Sequence, residues 1–162
     1  APVTIEENVD YRCRLAQTDD CPAMAALYQR VFSSYPFPIH NPDYLAETMA
    51  DHVIYAGIWK EDELLALASA EVDRAESHAE MTDFATDPVC RGKGLAHLLL
   101  AELETLMARE KIQTCYTIAR ATSFGMNITF ARSGYQFGGT LVQNTQISGG
   151  LESMNVWYKP VE

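Results

Sequence analysis

Residues Asp87 to Ala96, read as D-P-V-C-R-G-K-G-L-A, have the composition of an anion-binding turn. They follow a stretch with strand character and precede a long amphipathic stretch with helix character. A strand that turns directly into a helix leaves backbone N–H groups free at the positive end of the helix dipole. Gly92 and Gly94 permit a tight turn and a close approach of phosphate to the backbone. Arg91 and Lys93 add positive charge, so the segment is predicted to bind phosphate.

Two common phosphate-binding loops do not fit this segment. The dinucleotide fingerprint needs three glycines and a later acidic residue. A Walker A loop needs Gly-Lys followed by Ser or Thr, which the segment does not contain. On these residues alone, an ordinary strand–turn–helix with two surface cations is an equal alternative.

The strand before the turn carries two acids among apolar residues, Glu80 and Asp83. A carboxylate in apolar surroundings needs a partner or a chemical purpose. Because side chains alternate along a strand, we expect the two acids to point to opposite faces of the sheet. Both are candidate general bases, and a capped or salt-bridged carboxylate is the alternative for each. His78 is a weaker candidate, better explained as a surface residue at a strand start.

Hydrophobic periodicity and turn residues predict the elements that position these side chains. Strands are predicted over residues 11–16, 52–60, 63–74, 78–86, 113–121, 135–144 and 153–159. Helices are predicted over residues 18–34, 42–50, 93–110 and 123–133. Thr18 or Asp19 can cap the first helix, and Glu61-Asp62 forms a hairpin turn. The third helix has a leucine every turn, which marks its buried face: Leu95, Leu99, Leu103 and Leu106.

Length and composition restrict the function classes. The 162 residues suit one domain, predicted as residues 11–162 behind a tail at residues 1–10. The net charge is −10, and residues 1–90 hold 17 acidic and five basic side chains, which disfavours nucleic-acid binding. No apolar run could span a membrane and no signal-peptide pattern is present, so a cytoplasmic protein is expected. No Cys or His spacing predicts a metal site, and a homodimer is left open.

The spacing Arg91-x-x-Gly94-x-Ala96 after a strand that ends in Asp-Pro resembles motif A of the GCN5-related N-acetyltransferases (GNAT). The resemblance implies an α/β fold with a mixed sheet, in the order β-α-α-β-β-β-α-β-α-β-β with a splayed central strand pair. It also implies acetyl-CoA as co-substrate and no metal. Residues expected to contact the coenzyme are Phe84, Ala85 and Thr86 at the pantetheine arm, Arg91, Gly92, Lys93, Gly94, Leu95 and Ala96 at the pyrophosphate, and Asn127 and Phe130 on the last helix.

The chain departs from the family pattern at its acid and base positions. Many members carry a tyrosine general acid where this chain has Phe130, which cannot donate a proton. Seven residues earlier, where members often carry an asparagine, this chain has Ser123. At the position where some members use a glutamate, it has Ile118. The thiolate is therefore expected to leave unassisted or to take its proton from water or from the ammonium itself. Glu80 lies nearer the position of the base in related protein acetyltransferases.

The C-terminal half carries a narrower resemblance. The strings T-I-A-R-A-T-S-F-G-M-N-I-T-F-A-R-S-G-Y from Thr117 and G-G-T-L-V-Q-N-T-Q-I-S-G-G-L-E-S-M-N-V-W-Y-K from Gly138 resemble the β-lysine N-acetyltransferases, which make a zwitterionic osmolyte. Their longer members carry a further N-terminal region, so this chain is expected to be the catalytic domain of a longer protein. Candidate acceptor-binding residues are Arg120, Asn144, Glu152 and Asn155; a pyrophosphate contact or a surface cation is the alternative for Arg120. Tyr35 and Phe37 are candidates to close over the acceptor, and core packing is the equal alternative for both.

Three hypotheses follow from these patterns. The first is an acetyl-CoA-dependent N-acetyltransferase for one amine of a small diamino acid, β-lysine above all. The second is a CoA-binding regulatory module without catalysis, suggested by Phe130 and Ile118. The third is an N-acetyltransferase for another small amine or a protein amine.

Overall fold

The structure is a computed structural model that describes residues 10–147 and 149–161. Within these residues the chain forms one sheet of seven strands: β1 (Tyr11–Leu15), β2 (Val53–Lys60), β3 (Glu63–Asp73), β4 (His78–Thr86), β5 (Thr114–Arg120), β6 (Gln136–Ile147) and β7 (Gly150–Pro160). The same residues form four α-helices: α1 (Cys21–Val31), α2 (Pro42–Asp51), α3 (Leu95–Arg109) and α4 (Phe124–Arg132). This confirms the predicted element order. Of the predicted tail, residues 1–9 lie outside the described residues.

The strands lie in the order β1-β2-β3-β4-β5-β7-β6. Neighbouring strands run antiparallel except β4 and β5, which are parallel in the described part of the chain. This central pair is short: it begins at His78 and Thr114 and ends at Glu80 and Tyr116. Beyond that point the two strands diverge, as the resemblance implied. The divergence frees backbone hydrogen-bonding groups in the middle of the sheet, and such groups need partners.

The helices cover both faces of the sheet. Helices α3 and α4 pack on one face, where the predicted leucine stripe of α3 is buried at Leu95, Leu99 and Leu103, while Leu106 is partly buried. Helices α1 and α2 pack on the opposite face around Tyr28 and Leu45. Since burying a leucine or aromatic side chain stabilises the fold by about 1.5–3 kcal/mol, these two layers hold the sheet between them. Within the described residues, no helix has both the length and the apolar character needed to cross a bilayer.

The first helix is shorter than predicted at both ends. Residues Thr18–Asp20 form a 3₁₀ turn, and α1 starts at Cys21. The Asp20 carboxylate accepts the Gln17 N–H at 2.7 Å and pairs with Arg14 at 2.8 Å, and these bonds hold the tighter turn. The helix ends at Val31 because Phe32 is already extended, with φ −114° and ψ 118°.

The last hairpin is longer than predicted. The sequence indicated strands over 135–144 and 153–159, but β6 continues to Ile147 and β7 begins at Gly150. The backbone adopts positive φ at Gln143 (44°), where the β6–β7 register shifts, so pairing resumes beyond an irregularity that the sequence did not reveal. The Gly149 N–H donates to Ser34 Oγ at 2.6 Å, so the tip of this hairpin contacts the segment after α1.

The Asn127 side chain joins α4 to the sheet. Its Nδ2 donates to the carbonyl oxygens of Arg120 at 3.0 Å and Ser123 at 2.8 Å. Its Oδ1 accepts from Asn155 Nδ2 at 3.0 Å and from Trp157 Nε1 at 2.9 Å. One amide thus links α4, the end of β5 and the middle of β7.

We predict that Asn127→Ala lowers the free energy of unfolding by about 2–4 kcal/mol, because it removes several bonds of roughly 1 kcal/mol each and strands partly buried partners. Urea unfolding measures this change. The control is Asn144→Ala, at an exposed position of β6, which we expect to stay within about 0.5 kcal/mol of the parent. Equal midpoints for the two variants would contradict the assignment.

Candidate active site

A groove of about 760 Å³ runs between the start of α3 and α4. The turn before α3 has positive φ at Gly92 (81°) and Gly94 (76°), a conformation that strains residues with a Cβ. The first N–H groups of a helix have no partner inside the helix, and here Leu95 starts α3 at the groove. Backbone donors, the helix dipole and the Arg91 side chain therefore converge on one place that suits a phosphate group.

Most of the residues predicted to contact the coenzyme line this groove: Phe84, Thr86, Arg91, Gly92, Gly94, Leu95 and Ala96. Lys93 and Ala85 are outside the groove lining in the described structure, and Ala85 packs among the side chains of the α1–α2 layer. Sequence reasoning missed His97 and Arg132, which also line the groove. Arg132 adds a cation to Arg91 and Arg120 on this surface. Its position one turn after Ile128 on α4 was the signal that could have found it.

A smaller cavity of about 100 Å³ lies where β4 and β5 diverge. Phe84 lines both the cavity and the groove, so the two spaces meet near the C-terminal end of β4. Phe130 also lines the cavity; it is 1 % exposed and packs edge-on against Phe84 with ring centroids 5.6 Å apart. The position where the family often carries a tyrosine is therefore apolar at this junction.

The two candidate bases lie on the same face of the sheet, so the expectation of opposite faces is wrong. Strand β3 presents Ser69 and Glu71 to one face, with Glu71 directly opposite Glu80. A β-bulge then follows on β4, where the register jumps and Asp83 takes φ 53°. The extra residue reverses the alternation. The Asp83 carboxylate consequently reaches Ser69, whose Oγ donates to it at 2.8 Å.

Asp83 lies between the sheet and the segment that follows α1. The Tyr35 hydroxyl donates to one carboxylate oxygen and Ser69 to the other. Burial raises the pKa of Asp83, and the bonds from Tyr35 and Ser69 oppose that rise. Of the two aromatics predicted to close over the acceptor, Tyr35 lines the cavity, whereas Phe37 is 58 % exposed and lies outside its lining in the described structure.

Glu80 is suited to exchange a proton near neutral pH. Burial, followed by the negative charges of Glu71 and Asp83, raises its pKa to about 7. A general base works best when its pKa lies close to the working pH. Sequence reasoning missed Ser69 and Glu71; two polar residues at alternate positions of the otherwise apolar strand β3 were the signal that could have found them.

Two of the candidate acceptor-binding residues bind each other. Arg120 donates to the Glu152 carboxylate from Nε at 2.6 Å and from Nη2 at 2.5 Å, and Thr122 donates to it at 3.2 Å. The bond to Glu152 raises the pKa of Arg120, and the same bond lowers the pKa of Glu152. Arg120 still lines both the cavity and the groove, so its guanidinium is held rigidly at their junction.

The predicted asparagines lie away from both spaces in the described structure. Asn127, a candidate coenzyme contact, uses its amide to join α4 to the sheet, and Asn155 bonds both to Asn127 and to Thr140. Asn144 is exposed on β6. In the part of the chain that the structure covers, no three His, Cys, Asp or Glu side chains converge to hold a metal ion.

The sequence of the chain is similar to those of known acetyltransferases. The model of the Acetyltransferase (GNAT) family matches residues 21–135. The N-acetyltransferase YodP of Bacillus subtilis is 42% identical over 92% of this chain and 54% of its own length. The β-lysine N(6)-acetyltransferase of Methanosarcina mazei is 41% identical over 91% of this chain and 54% of its own length. The chain thus spans about half the length of these relatives.

Solved structures share the fold at low sequence identity. The ribosomal-protein-S18-alanine N-acetyltransferase from Escherichia coli superposes with a TM-score of 0.80 at 18% identity, covering 94% of each chain. The ribosomal L7/L12 acetyltransferase RimL, solved with coenzyme A, gives a TM-score of 0.76 at 15% identity and covers 98% of this chain and 97% of its own.

We predict that Arg91→Glu weakens CoA binding roughly 10- to 100-fold, because it replaces a charge-assisted bond to phosphate by repulsion. Calorimetric titration with CoA measures the change. Lys60→Glu, which makes the same charge change at the exposed end of β2, is the control and should leave the affinity within about twofold. Similar losses in both variants would show that net charge, and not this loop, governs the affinity.

Proposed function

Because the chain belongs to the GNAT family of acetyltransferases, we propose that it transfers the acetyl group of acetyl-CoA to a primary amine of a small diamino acid, with β-lysine as the acceptor. One observation carries this proposal. The groove and the cavity that Asp83 lines share Phe84, and Glu80 lies in the last residue pair before β4 and β5 diverge. An anionic donor and a cationic acceptor can therefore reach one point from opposite faces of the sheet.

The coenzyme fits the groove by its chemistry. The turn from Arg91 to Ala96 offers backbone donors and a cation to the pyrophosphate. Beyond the last parallel pair, β4 has unpaired backbone groups near Phe84 that suit the amides of the pantetheine arm and the thioester oxygen. Bound acetyl-CoA supplies the activated acetyl group.

Amine deprotonation is the first chemical demand. An ordinary lysine-like ammonium has a pKa near 10.4, so its neutral form costs about 4.6 kcal/mol at pH 7. We assign the proton to Glu80, directly or through one water, because its pKa of about 7 lets it hold the proton briefly and release it to solvent. The neutral nitrogen then attacks the thioester carbon and forms the C–N bond.

Thiolate departure completes the reaction. In the tetrahedral adduct the nitrogen is positively charged and carries two protons. The amide product has only one, so the nitrogen must lose the other. When the C–S bond breaks, the electron pair leaves with sulfur, and that second proton passes from nitrogen to the thiolate. The products are the amide and CoA thiol. This route needs no protein acid, which accords with the apolar Phe130 beside Phe84.

The acceptor assignment rests on charge and on the relatives. β-Lysine carries two ammonium groups and one carboxylate. Asp83, Glu80 and Glu71 lie on one face of the sheet, and Arg120 offers a cation at the edge of the same cavity. Two relatives about 40% identical are named β-lysine N(6)-acetyltransferases. We place the reaction in the cytoplasm, with an osmolyte as its product, where reducing conditions suit the free cysteines.

We predict that the protein releases CoA thiol from acetyl-CoA when β-lysine is added, at a kcat/KM at least about tenfold above that for lysine or 1,4-diaminobutane. Thiol-reactive dye and mass spectrometry of the product measure this. Turnover of a different amine alone would keep the reaction and reject the acceptor. Tight CoA binding without acetylation of any amine would favour the regulatory module. The tenfold threshold corresponds to about 1.4 kcal/mol of discrimination.

The pH dependence tests Glu80. A base must be deprotonated to act, so kcat/KM for the acceptor should rise with pH through about 7, the pKa of Glu80. This rise of kcat/KM with pH is the acidic limb of the profile. We predict that Glu80→Gln removes the acidic limb and lowers kcat about 100-fold or more, in the usual range for a general base. Glu76→Gln, in the exposed turn before β4, is the control and should keep the limb. A limb that persists near pH 7 in Glu80→Gln would reject the assignment.

A further inference from the structure

The Asp83 side chain is positioned at a backbone cost. A non-glycine residue with φ 53° is strained, and the surrounding structure must offset that strain. The bulge that requires this conformation brings the carboxylate into the cavity beside Phe84 and onto the face of Glu80. Two hydroxyl donors, Tyr35 and Ser69, then hold its two oxygens. Such a fixed carboxylate next to the thioester-binding segment suits a ligand-binding role.

The charge of Asp83 has no protein counter-ion among residues 10–147 and 149–161. Its side-chain partners are neutral hydroxyls, and none of the ion pairs formed by these residues includes it. The groups that face it add negative potential, since both Glu71 and Glu80 lie on the same face of the sheet. A largely buried carboxylate without a cation is costly unless a ligand supplies one. The pocket is therefore complementary to a cation.

A second observation points to a ligand here. The Tyr28 hydroxyl is 0 % exposed and has no hydrogen-bond partner in the described part of the structure. Tyr28 packs in the α1–α2 layer with Leu67 and Ala85, on the face of the sheet that carries Asp83, and burial, followed by the negative charge of Asp83, raises its pKa. Tyr35 lines the cavity together with Asp83 and donates a hydrogen bond to it. Aromatic faces and hydroxyl groups around an acid form a common setting for an ammonium group.

We propose that Asp83 is the ammonium-binding residue of the acceptor site, held by Tyr35 and Ser69, and that it orients the reacting amine while Glu80 removes the proton. This inference rests on the proposed function, and it assigns amine binding and proton removal to two different acids. Asp83 binds the ammonium and keeps an N–H···O bond to the neutral amine, so the nitrogen lone pair points to the thioester. Glu80, three residues earlier on the same face, accepts the proton.

The inference is tested by acceptor binding without turnover. β-Lysine is titrated calorimetrically into the protein saturated with CoA, which carries no acetyl group. Asp83→Asn keeps the shape but removes the charge, and we expect it to weaken β-lysine binding roughly 10- to 100-fold while CoA affinity stays within about twofold. Glu76→Gln, which makes the same charge change in the exposed turn before β4, is the matched control and should keep β-lysine affinity within about twofold. Unchanged β-lysine affinity in Asp83→Asn overturns the proposal.

A substrate analogue isolates the charge. In 6-hydroxy-3-aminohexanoate a hydroxyl replaces the reacting amine of β-lysine. The parent protein should bind the analogue roughly 10- to 100-fold more weakly than β-lysine. Asp83→Asn should bind the analogue and β-lysine with affinities within about threefold of each other, because the Asp83 carboxylate and the ligand ammonium act as a coupled pair. An undiminished preference for β-lysine in the variant rejects the pairing.

The pH profile separates binding from proton transfer. The negative charge of Asp83 raises the pKa of Glu80, so Asp83→Asn should move the limb of kcat/KM to lower pH without removing it. Loss of the limb with unchanged affinity would make Asp83 the base and overturn the inference. Should Asp83→Asn fail to fold, Tyr35→Phe removes one positioning bond, and a β-lysine affinity unchanged from the parent would then reject the role.

Failure of the proposed function is distinguishable. If the parent acetylates β-lysine and Asp83→Asn keeps the parent KM, the inference falls and the proposed function stands. If the parent acetylates nothing but binds β-lysine or 1,4-diaminobutane, and Asp83→Asn loses that binding, the inference stands and the proposed function falls. If the parent binds neither amine, both the inference and the proposed function are rejected.

Discussion

The divergence of β4 and β5 is the constraint on which the site depends. Three residue pairs hold these parallel strands together, and then the ladder opens in the centre of the sheet. A sheet interrupted at its middle leaves unpaired backbone groups that a ligand must satisfy, and here Phe84 borders both resulting spaces. The helices on the two faces support the opening. The Thr117 hydroxyl donates to the Met81 carbonyl at 2.6 Å, which bridges the two strands just past their last pair.

Charge is arranged along the same axis. The acids Glu80 and Asp83 come from the acidic first 90 residues, whereas the cations that line the groove, Arg91, Arg120 and Arg132, come from the rest of the chain. In the proposed reaction the anionic donor and the cationic acceptor are each attracted to their own face. Because the junction is apolar at Phe130, the charges that develop during transfer lie in a low-dielectric space where fixed groups act strongly.

Local patterns predicted the scaffold well. The element order, the glycine turn before α3 and the buried leucines of that helix follow from short-range rules of periodicity and turn chemistry, and they agree with the structure. Errors fell at element ends, such as α1, where Asp20 closes a 3₁₀ turn, and at the tip of the β6–β7 hairpin. Those ends are set by individual side-chain hydrogen bonds, such as those of Asp20, or by backbone irregularities, such as the positive φ of Gln143, which periodicity does not encode.

The sequence by itself determined that a glycine turn would place backbone donors and Arg91 at a helix start, because that arrangement needs only neighbouring residues. Tertiary structure alone decided which acids share a face and which residues they contact. One bulge reverses the alternation of β4 and brings Asp83 to Ser69 and Tyr35, which lie 14 and 48 residues away in the chain. It also joined Arg120 to Glu152, 32 residues apart. Such pairs form only once strands and loops pack together, since a strand's period specifies a face but not an extra residue.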